Sequence, residues 1–391
     1  MKKKLRSLLR IVFGRTAFML LFIMLQLAFF FGIVHWISSE YSLISYAGLH
    51  LLGTLTCIYI YNKPENPSFK LSWIIPVLAF PVFGTLLYLY VELEISGRII
   101  SKRANRLVKE SRIYLQQDQK VLSHLEDEDD RLSGLVNYVG EFGGFPVYEN
   151  YTAEYFPSGE QKFERLKEEL EKARKFIFME YFIVEHGVMW DTILEILERK
   201  AKEGVEVRFM YDGMCSIALL PYHYPKILEA KGIHCHAFAP IKPALSTYQN
   251  NRDHRKIVVI DGHTAFTGGV NLADEYINVK ERFGYWKDVA VMIKGEAVKN
   301  FTIMFLQMWN IWEKTPLDYE KYLSHDLPQQ IEGRRSEGFV LPYGDSPLDH
   351  EPVGKMVYLD ILNTAKKYVH IMTPYLILDD ETINALRYAA K

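Results

Sequence analysis

One short stretch of the sequence concentrates side chains able to do chemistry on a phosphate ester. His254 is followed by Lys256 two positions on and by Asp261 five positions after that, and the segment then runs into Gly268, Gly269 and Asn271. A neutral imidazole can attack phosphorus and form a covalent intermediate. A lysine beside it can hold the non-bridging oxygens and offset developing charge. A carboxylate can orient a histidine through its other ring nitrogen. Paired glycines let a backbone approach a ligand closely, and Asn271 can donate from its amide and then cap a following helix. No metal is needed if these groups do the work. Each residue alone has an ordinary explanation: a packed strand histidine, a snorkelling lysine, an Asp-Gly turn. Together with Gly-Gly-x-Asn, they point to phosphoryl transfer.

The elements around the motif must position it. Residues 253–260 read as a strand, so that His254 and Lys256 share one face, and Asp261-Gly262 is a hairpin signal. Upstream, residues 163–173 read as an amphipathic helix and 175–184 as a buried strand. Residues 191–201 form a helix ended by Gly204, and 205–211 the next strand. Strands alternating with helices imply an α/β fold with a largely parallel sheet. The pattern returns at 355–365 (helix), 366–372 (strand) and 382–391 (helix). Residue types repeat with it: Ala173-Arg174-Lys175-Phe176-Ile177 matches Ala365-Lys366-Lys367-Tyr368-Val369. This predicts two copies of one unit, the second stopping where the first reaches Gly204. No second His-x-Lys-x4-Asp occurs, because His325, His350 and His370 lack the lysine. The repeat register puts one roughly 50 residues beyond Lys391, so the second copy is expected to be truncated and the isolated chain inactive unless another chain supplies the motif.

Composition narrows the class. The 391 residues are 49% hydrophobic and 24% charged with a net charge of −2, which excludes a polycation that coats nucleic acid and a disordered chain. Cys57, Cys215 and Cys235 are too few and scattered for a disulfide framework or structural zinc. The apolar content is concentrated in the first quarter. Residues 16–37 carry no charge and follow a basic N-terminus (Lys2, Lys3, Lys4, Arg6, Arg10, Arg15), which predicts a retained membrane span. Uncharged stretches at 43–61 and 71–91 follow, the third holding Pro76, Pro81 and Gly84, as broken or re-entrant segments do. Basic residues at both ends of this region and in the loop at 62–72 favour two full spans with a re-entrant third segment. Three full spans would put the catalytic region outside.

Four regions are expected. Residues 1–95 form an N-terminal membrane module of two to three hydrophobic segments. Residues 96–140 form a helical juxtamembrane linker, either laid on anionic head groups or solvated. Residues 141–330 form the complete catalytic unit, and 331–391 begin the second. His234-Cys235-His236 lies in a predicted strand that turns Cys235 away from the two histidines, which argues for a structural role and against a metal cluster.

His254-x-Lys256-x4-Asp261 followed by Gly268-Gly269-x-Asn271 resembles the HKD motif of the phospholipase D superfamily. The chain resembles the bacterial cardiolipin synthases in particular. Ser72-Trp73-Ile74 and Pro81-Val82-Phe83-Gly84 look like that family's membrane module, and Met179-Glu180-Tyr181-Phe182 resembles its first catalytic strand. Tyr285-Trp286-Lys287-Asp288-Val289 with Gly295-Glu296-Ala297-Val298 resembles the stretch after the first motif, and Thr373-Pro374-Tyr375 the matching strand of the second half. The resemblance implies an α/β phospholipase-D-like domain, one complete copy and a truncated second, preceded by transmembrane helices in a bacterial cell membrane. It implies joining of two phosphatidylglycerol molecules into cardiolipin with release of glycerol, through a phosphohistidine and without a cofactor. His254 is then an HKD histidine, as nucleophile or as acid–base. Lys256 holds phosphate, Asp261 is the histidine's partner, and Asn271 with Gly268 and Gly269 contacts substrate. The expected partners are membrane phospholipids and not nucleic acid, with homo-oligomerisation left open. Phospholipid hydrolysis by the same site, and non-catalytic binding of anionic lipid, are the competing readings.

Overall fold

The computed structural model describes residues 39–64, 66–92, 95–214, 218–221, 223–239, 252–323, 336–346 and 351–391, together with 24, 27, 28, 31 and 32. The chain divides into two compact units, residues 1–99 with 241–251, and Ile100–Pro240 with Arg252–Lys391.

The described part of the first unit is helical: α1 (Ser39–Tyr61), α2 (Pro67–Ala79) and α3 (Pro81–Glu92). Pro81 opens α3, and the chain breaks at Phe80 because a proline has no N–H to continue the preceding helix. The third apolar stretch is therefore two helices of 13 and 12 residues. At about 1.5 Å per residue neither reaches across about 30 Å of hydrocarbon. Among the described residues no helix is long and apolar enough to cross a membrane. The break at Pro81 agrees with the broken or re-entrant reading of 71–91, and no membrane-crossing helix is found over the described residues of 43–61, where a full span was expected. Most of the stretch at 16–37 lies outside the described residues. Ile60, Val77 and Tyr88 form a small core between the three helices. Gly84 of α3 sits so close to α2 that a Cβ there would lie 2.5 Å from the Pro76 carbonyl oxygen.

The second unit is built on one seven-stranded sheet. Its strands are β1 (Tyr151–Phe156), β2 (Phe176–Tyr181), β3 (Glu206–Asp212), β4 (His234–Phe238), β5 (Ile257–Ile260), β6 (Thr264–Gly268) and β7 (Ala290–Gly295), in the order β1-β7-β6-β5-β2-β3-β4. The parallel expectation holds only for β2, β3 and β4, where helices intervene. The other four pairings are antiparallel. The turn at 261–263 is too short for a crossover, so β5 and β6 must run in opposite directions.

Strand alternation divides the core. Ile177 and Met179 of β2 pack with Leu166 and Leu170 of the helix Gly159–Glu171 and with Trp190 and Leu197 of the helix Val188–Lys202. On the opposite face Phe178 stacks on Phe305 at 4.6 Å, from the helix Val298–Asn310. The segment expected to be a linker is helical, with elements at Ile95–Ser111, Gln119–Glu128 and Asp130–Tyr138. It packs on that same helix: Arg103 Nη2 donates to the Asn310 carbonyl at 2.9 Å and Gln307 Nε2 to Ser111 Oγ at 2.8 Å. Leu107 is fully buried. From residue 100 on, this segment is a layer of the second unit.

At the C-terminal end, helices Val353–Thr364 and Asp380–Ala389 match the repeat. The strand expected at 366–372 is not formed, and Tyr368 and Met372 are exposed. Its apolar run meets no neighbouring strand among the described residues, and a strand is not stable without a partner.

Candidate active site

The sheet brings His254, Lys256 and the Gly268–Asn271 segment, but not Asp261, to one edge. β5 runs antiparallel to β2, pairing Ile257 with Glu180, and to β6, pairing Ile257 with Thr267. The chain entering β5, the end of β2, the end of β3 and the chain leaving β6 therefore meet there. Residues 252–256 precede the strand instead of belonging to it, a correction to the expectation that His254 and Lys256 would alternate on a strand face. His254 is exposed and Lys256 is buried.

The His254 ring lies 4.5 Å from the Phe182 ring and 5.9 Å from that of Tyr375. Desolvation lowers its pKa, nearby Lys256 lowers it further, and Asp212 opposes both. The imidazole is thus neutral at pH 7, which is the form with a free nucleophilic lone pair. Lys256 Nζ donates to the His254 carbonyl at 2.5 Å and lies 5.2 Å from the Phe182 ring centre. The ammonium is held against the histidine's own backbone and next to the ring that packs on the imidazole.

Asp261 is elsewhere. It stands at the opposite end of β5, and its carboxylate accepts the backbone N–H groups of Arg174 (2.8 Å), Lys175 (2.7 Å) and Phe176 (2.8 Å). Its φ of 52° begins the left-handed turn that Gly262 continues at 73°. The expected partnership with His254 is corrected here. β5 separates the two residues, and the carboxylate instead fixes where β2 begins.

Asn271 and the glycines also have structural occupations. Asn271 is buried, its Oδ1 accepting from Ile183 N at 3.0 Å and its Nδ2 donating to Tyr276 Oη at 2.8 Å. It ties the end of β2 to the chain after β6. Gly268 has φ 146°, and a Cβ there would lie 2.4 Å from the Val289 carbonyl oxygen. A Cβ on Gly269 would lie 2.0 Å from Asp288 Oδ1. The glycines thus admit the neighbouring chain of the protein itself, and they seat the Asp288 carboxylate at the same edge.

Beneath the histidine lies a cluster the motif did not announce. Glu180, Asp212 and Asp253 are all buried. Asp212 Oδ2 accepts from Asp253 N at 3.1 Å, and Asp253 Oδ1 from Arg255 N at 3.3 Å. Arg255 Nη1 is 4.0 Å from Glu180 Oε1 and also donates to the Met304 carbonyl at 3.5 Å. Burial, and then the charge of Asp253, push the Glu180 carboxyl well above its ordinary range. Neither Glu180 oxygen nor Asp253 Oδ2 meets a donor, since two carboxylates offer each other only acceptors. A proton on Glu180 supplies the missing donor. The sequence did carry a signal: Glu180 is the one charge in the apolar run FIFMEYF. Lys162 had no such signal. Its Nζ donates to Tyr181 Oη at 2.8 Å, and burial lowers its pKa to about 7. Among the described residues no group of three or more His, Cys, Asp or Glu is arranged to hold a metal ion.

Residues 166–309 match the family described as cardiolipin synthase, PLD-like domain, and residues 51–91 match the phospholipase D-nuclease N-terminal family. An uncharacterized protein of Streptococcus mutans serotype c is 49% identical over 336 residues, covering 85% of this chain and 71% of the relative. A cardiolipin synthase of Alkalihalophilus pseudofirmus is 31% identical over 353 residues, covering 88% of this chain and 68% of the relative. The solved phospholipase D family member Nuc from Salmonella typhimurium overlays with a TM-score of 0.30 at 20% identity, covering 42% of this chain and 95% of that one.

Proposed function

Because this chain belongs to the cardiolipin synthases with a phospholipase-D-like domain, we propose that it transfers a phosphatidyl group between two phosphatidylglycerol molecules, with His254 and Lys256 at the reacting phosphorus. In the first half-reaction a motif imidazole forms a P–N bond, the P–O bond to one glycerol breaks, and that glycerol leaves carrying a proton. In the second, a hydroxyl of another phosphatidylglycerol forms a P–O bond, the P–N bond breaks, and the hydroxyl gives up its proton. One glycerol is released and the protons balance, so a single acid–base group serves both steps.

The observation that carries this reading is the pairing of a neutral, exposed imidazole with an ammonium anchored to the histidine's own backbone carbonyl. Lys256 is positioned to turn from the His254 carbonyl to a phosphate oxygen, where it offsets charge as phosphorus becomes five-coordinate. Asp261, Asn271, Gly268 and Gly269 act as positioning residues that hold the strands around it. The helices at 39–92 associate with the bacterial cell membrane. Ile44, Leu51, Leu55, Ile58, Ile75 and Leu78 are exposed there, an apolar display that is unfavourable in water and suited to lipid.

The test uses the protein in vesicles containing labelled phosphatidylglycerol, following cardiolipin and free glycerol. When a second His-x-Lys-x4-Asp motif is supplied by another chain, cardiolipin and glycerol are expected in equal amounts, and His254→Ala is expected to abolish both. Phosphatidic acid in place of cardiolipin, or a fully active His254→Ala protein, would overturn the reading.

A further inference from the structure

The chain between the 3-10 turn Asp274–Ile277 and β7 leaves and re-enters the sheet at the edge that carries His254. At its tip the apolar side chains face outward: Val279 is 57% exposed, Phe283 79% and Tyr285 72%. Solvent-facing aromatic side chains this large on a short loop are costly in water unless something covers them. The loop is also braced from below. Phe283 lies 6.2 Å from Trp286, Trp286 5.2 Å from Tyr276, and Asn278 Oδ1 accepts from Trp286 N at 2.6 Å. Tyr276 in turn holds Asn271, and the Tyr375 ring faces His254 at 5.9 Å. Packed rings therefore run from the exposed tip to Tyr276, which holds Asn271 at the end of the sheet that carries His254.

The charges suit one kind of partner. Lys280, Arg282 and Lys287 surround the tip, with Glu281 the one acid between residues 279 and 287. Lys280 and Arg282 are braced on Glu185 (2.7 Å) and Glu275 (3.0 Å). The Arg282 guanidinium lies 5.3 Å from the Phe283 ring centre, and Tyr285 Oη donates to Glu160 Oε1 at 3.4 Å, so the loop is held at its base. Outward Phe and Tyr over a base of Lys and Arg is the pattern of a segment seated at a lipid–water interface, where rings sit among the head groups and cations meet anionic phosphate.

We propose that residues 279–285 are an interfacial anchor, with Phe283 and Tyr285 inserting among the head groups of an anionic bilayer and setting the mouth of the His254 site on the membrane surface. This rests on the lipid-transfer reading of the site. It assigns a separate task to side chains that touch no reacting atom: holding the site where a phosphodiester can enter it without leaving the membrane.

The experiment has two arms, both on the full-length protein reconstituted in vesicles of phosphatidylglycerol and phosphatidylcholine. In the first, Phe283→Trp is compared with the parent, and the added emission is challenged with lipids brominated high in the acyl chain. Quenching of that added emission is expected, and its absence overturns the proposal. This arm needs no turnover, so it stands even if the assigned reaction fails. In the second, Phe283→Ser/Tyr285→Ser is assayed on vesicle phosphatidylglycerol and on a short-chain phosphatidylglycerol kept monomeric in detergent-solubilised enzyme. Loss of about tenfold or more is expected on vesicles, the equivalent of one withdrawn aromatic side chain, with little change on the monomeric substrate. Equal loss on both substrates, or vesicle activity left intact, overturns the proposal.

Discussion

Substitution of Asp261 separates two roles that its place in the motif leaves confounded. Three backbone N–H groups, of Arg174, Lys175 and Phe176, donate to its carboxylate at 2.7–2.8 Å. Hydrogen bonds to a charged acceptor are worth about 1.5–3 kcal/mol each, so losing three in Asp261→Ala should cost about 4.5–9 kcal/mol, much of the about 5–15 kcal/mol available to a domain. That variant is expected not to accumulate. Asp261→Asn is the informative change. It keeps one oxygen for the Lys175 and Phe176 N–H groups and turns an NH2 toward that of Arg174. Asparagine also tolerates the φ of 52°. A loss of about 2–3 kcal/mol is expected, which lowers Tm by about 4–12 °C in a unit of this size. Cardiolipin formation per folded molecule, measured below the melting range, should stay close to parental. If Asp261 instead oriented the imidazole, turnover would fall by about 10⁴-fold with the melt unchanged. That second pattern would refute the assignment of Asp261 to strand anchoring.

Two further outcomes are expected. Glu180 keeps its proton above the ordinary value of 4.5 when folded, so the unfolded chain releases the proton first as pH rises. Its contribution to stability is complete below pH 4.5 and is lost as pH climbs through the raised folded value. Glu180→Gln cannot ionise, so in urea titrations its stability relative to the parent should rise between pH 5 and pH 8. A relative fall would contradict a protonated Glu180. Gly268→Ala places a Cβ 2.4 Å from the Val289 carbonyl at a φ of 146°. It should destabilise by about 2–4 kcal/mol, and a parental thermal melt would show that the β6–β7 approach is looser than described.

Much of the scaffold was legible along the chain because its signals are local. The helix at Gly159–Glu171, the strand at Phe176–Tyr181 and the helix at Val188–Lys202 fall within a few residues of their expected positions, since each carries its own apolar period and cap. The motif His254-x-Lys256 with its downstream glycines was visible as a chemical set for the same reason. The repeat was visible too, but its strand at 366–372 was not formed, because a strand depends on a neighbour that residue types do not specify.

What the sequence by itself determined was the kind of chemistry, the alternation of elements in β2 to β4 and the apolar character of the first quarter. Only the tertiary structure decided the rest. It made the sheet mostly antiparallel, through the short turn at 261–263. It moved Asp261 from the histidine's partner to the anchor of β2, because residues seven apart along an extended chain stand at opposite ends of it. It also brought Glu180 and Asp253, 73 positions apart in the chain, into one buried pair under His254. Spacing along a chain fixes which face a side chain takes, while pairing between strands fixes which distant carboxyl it meets.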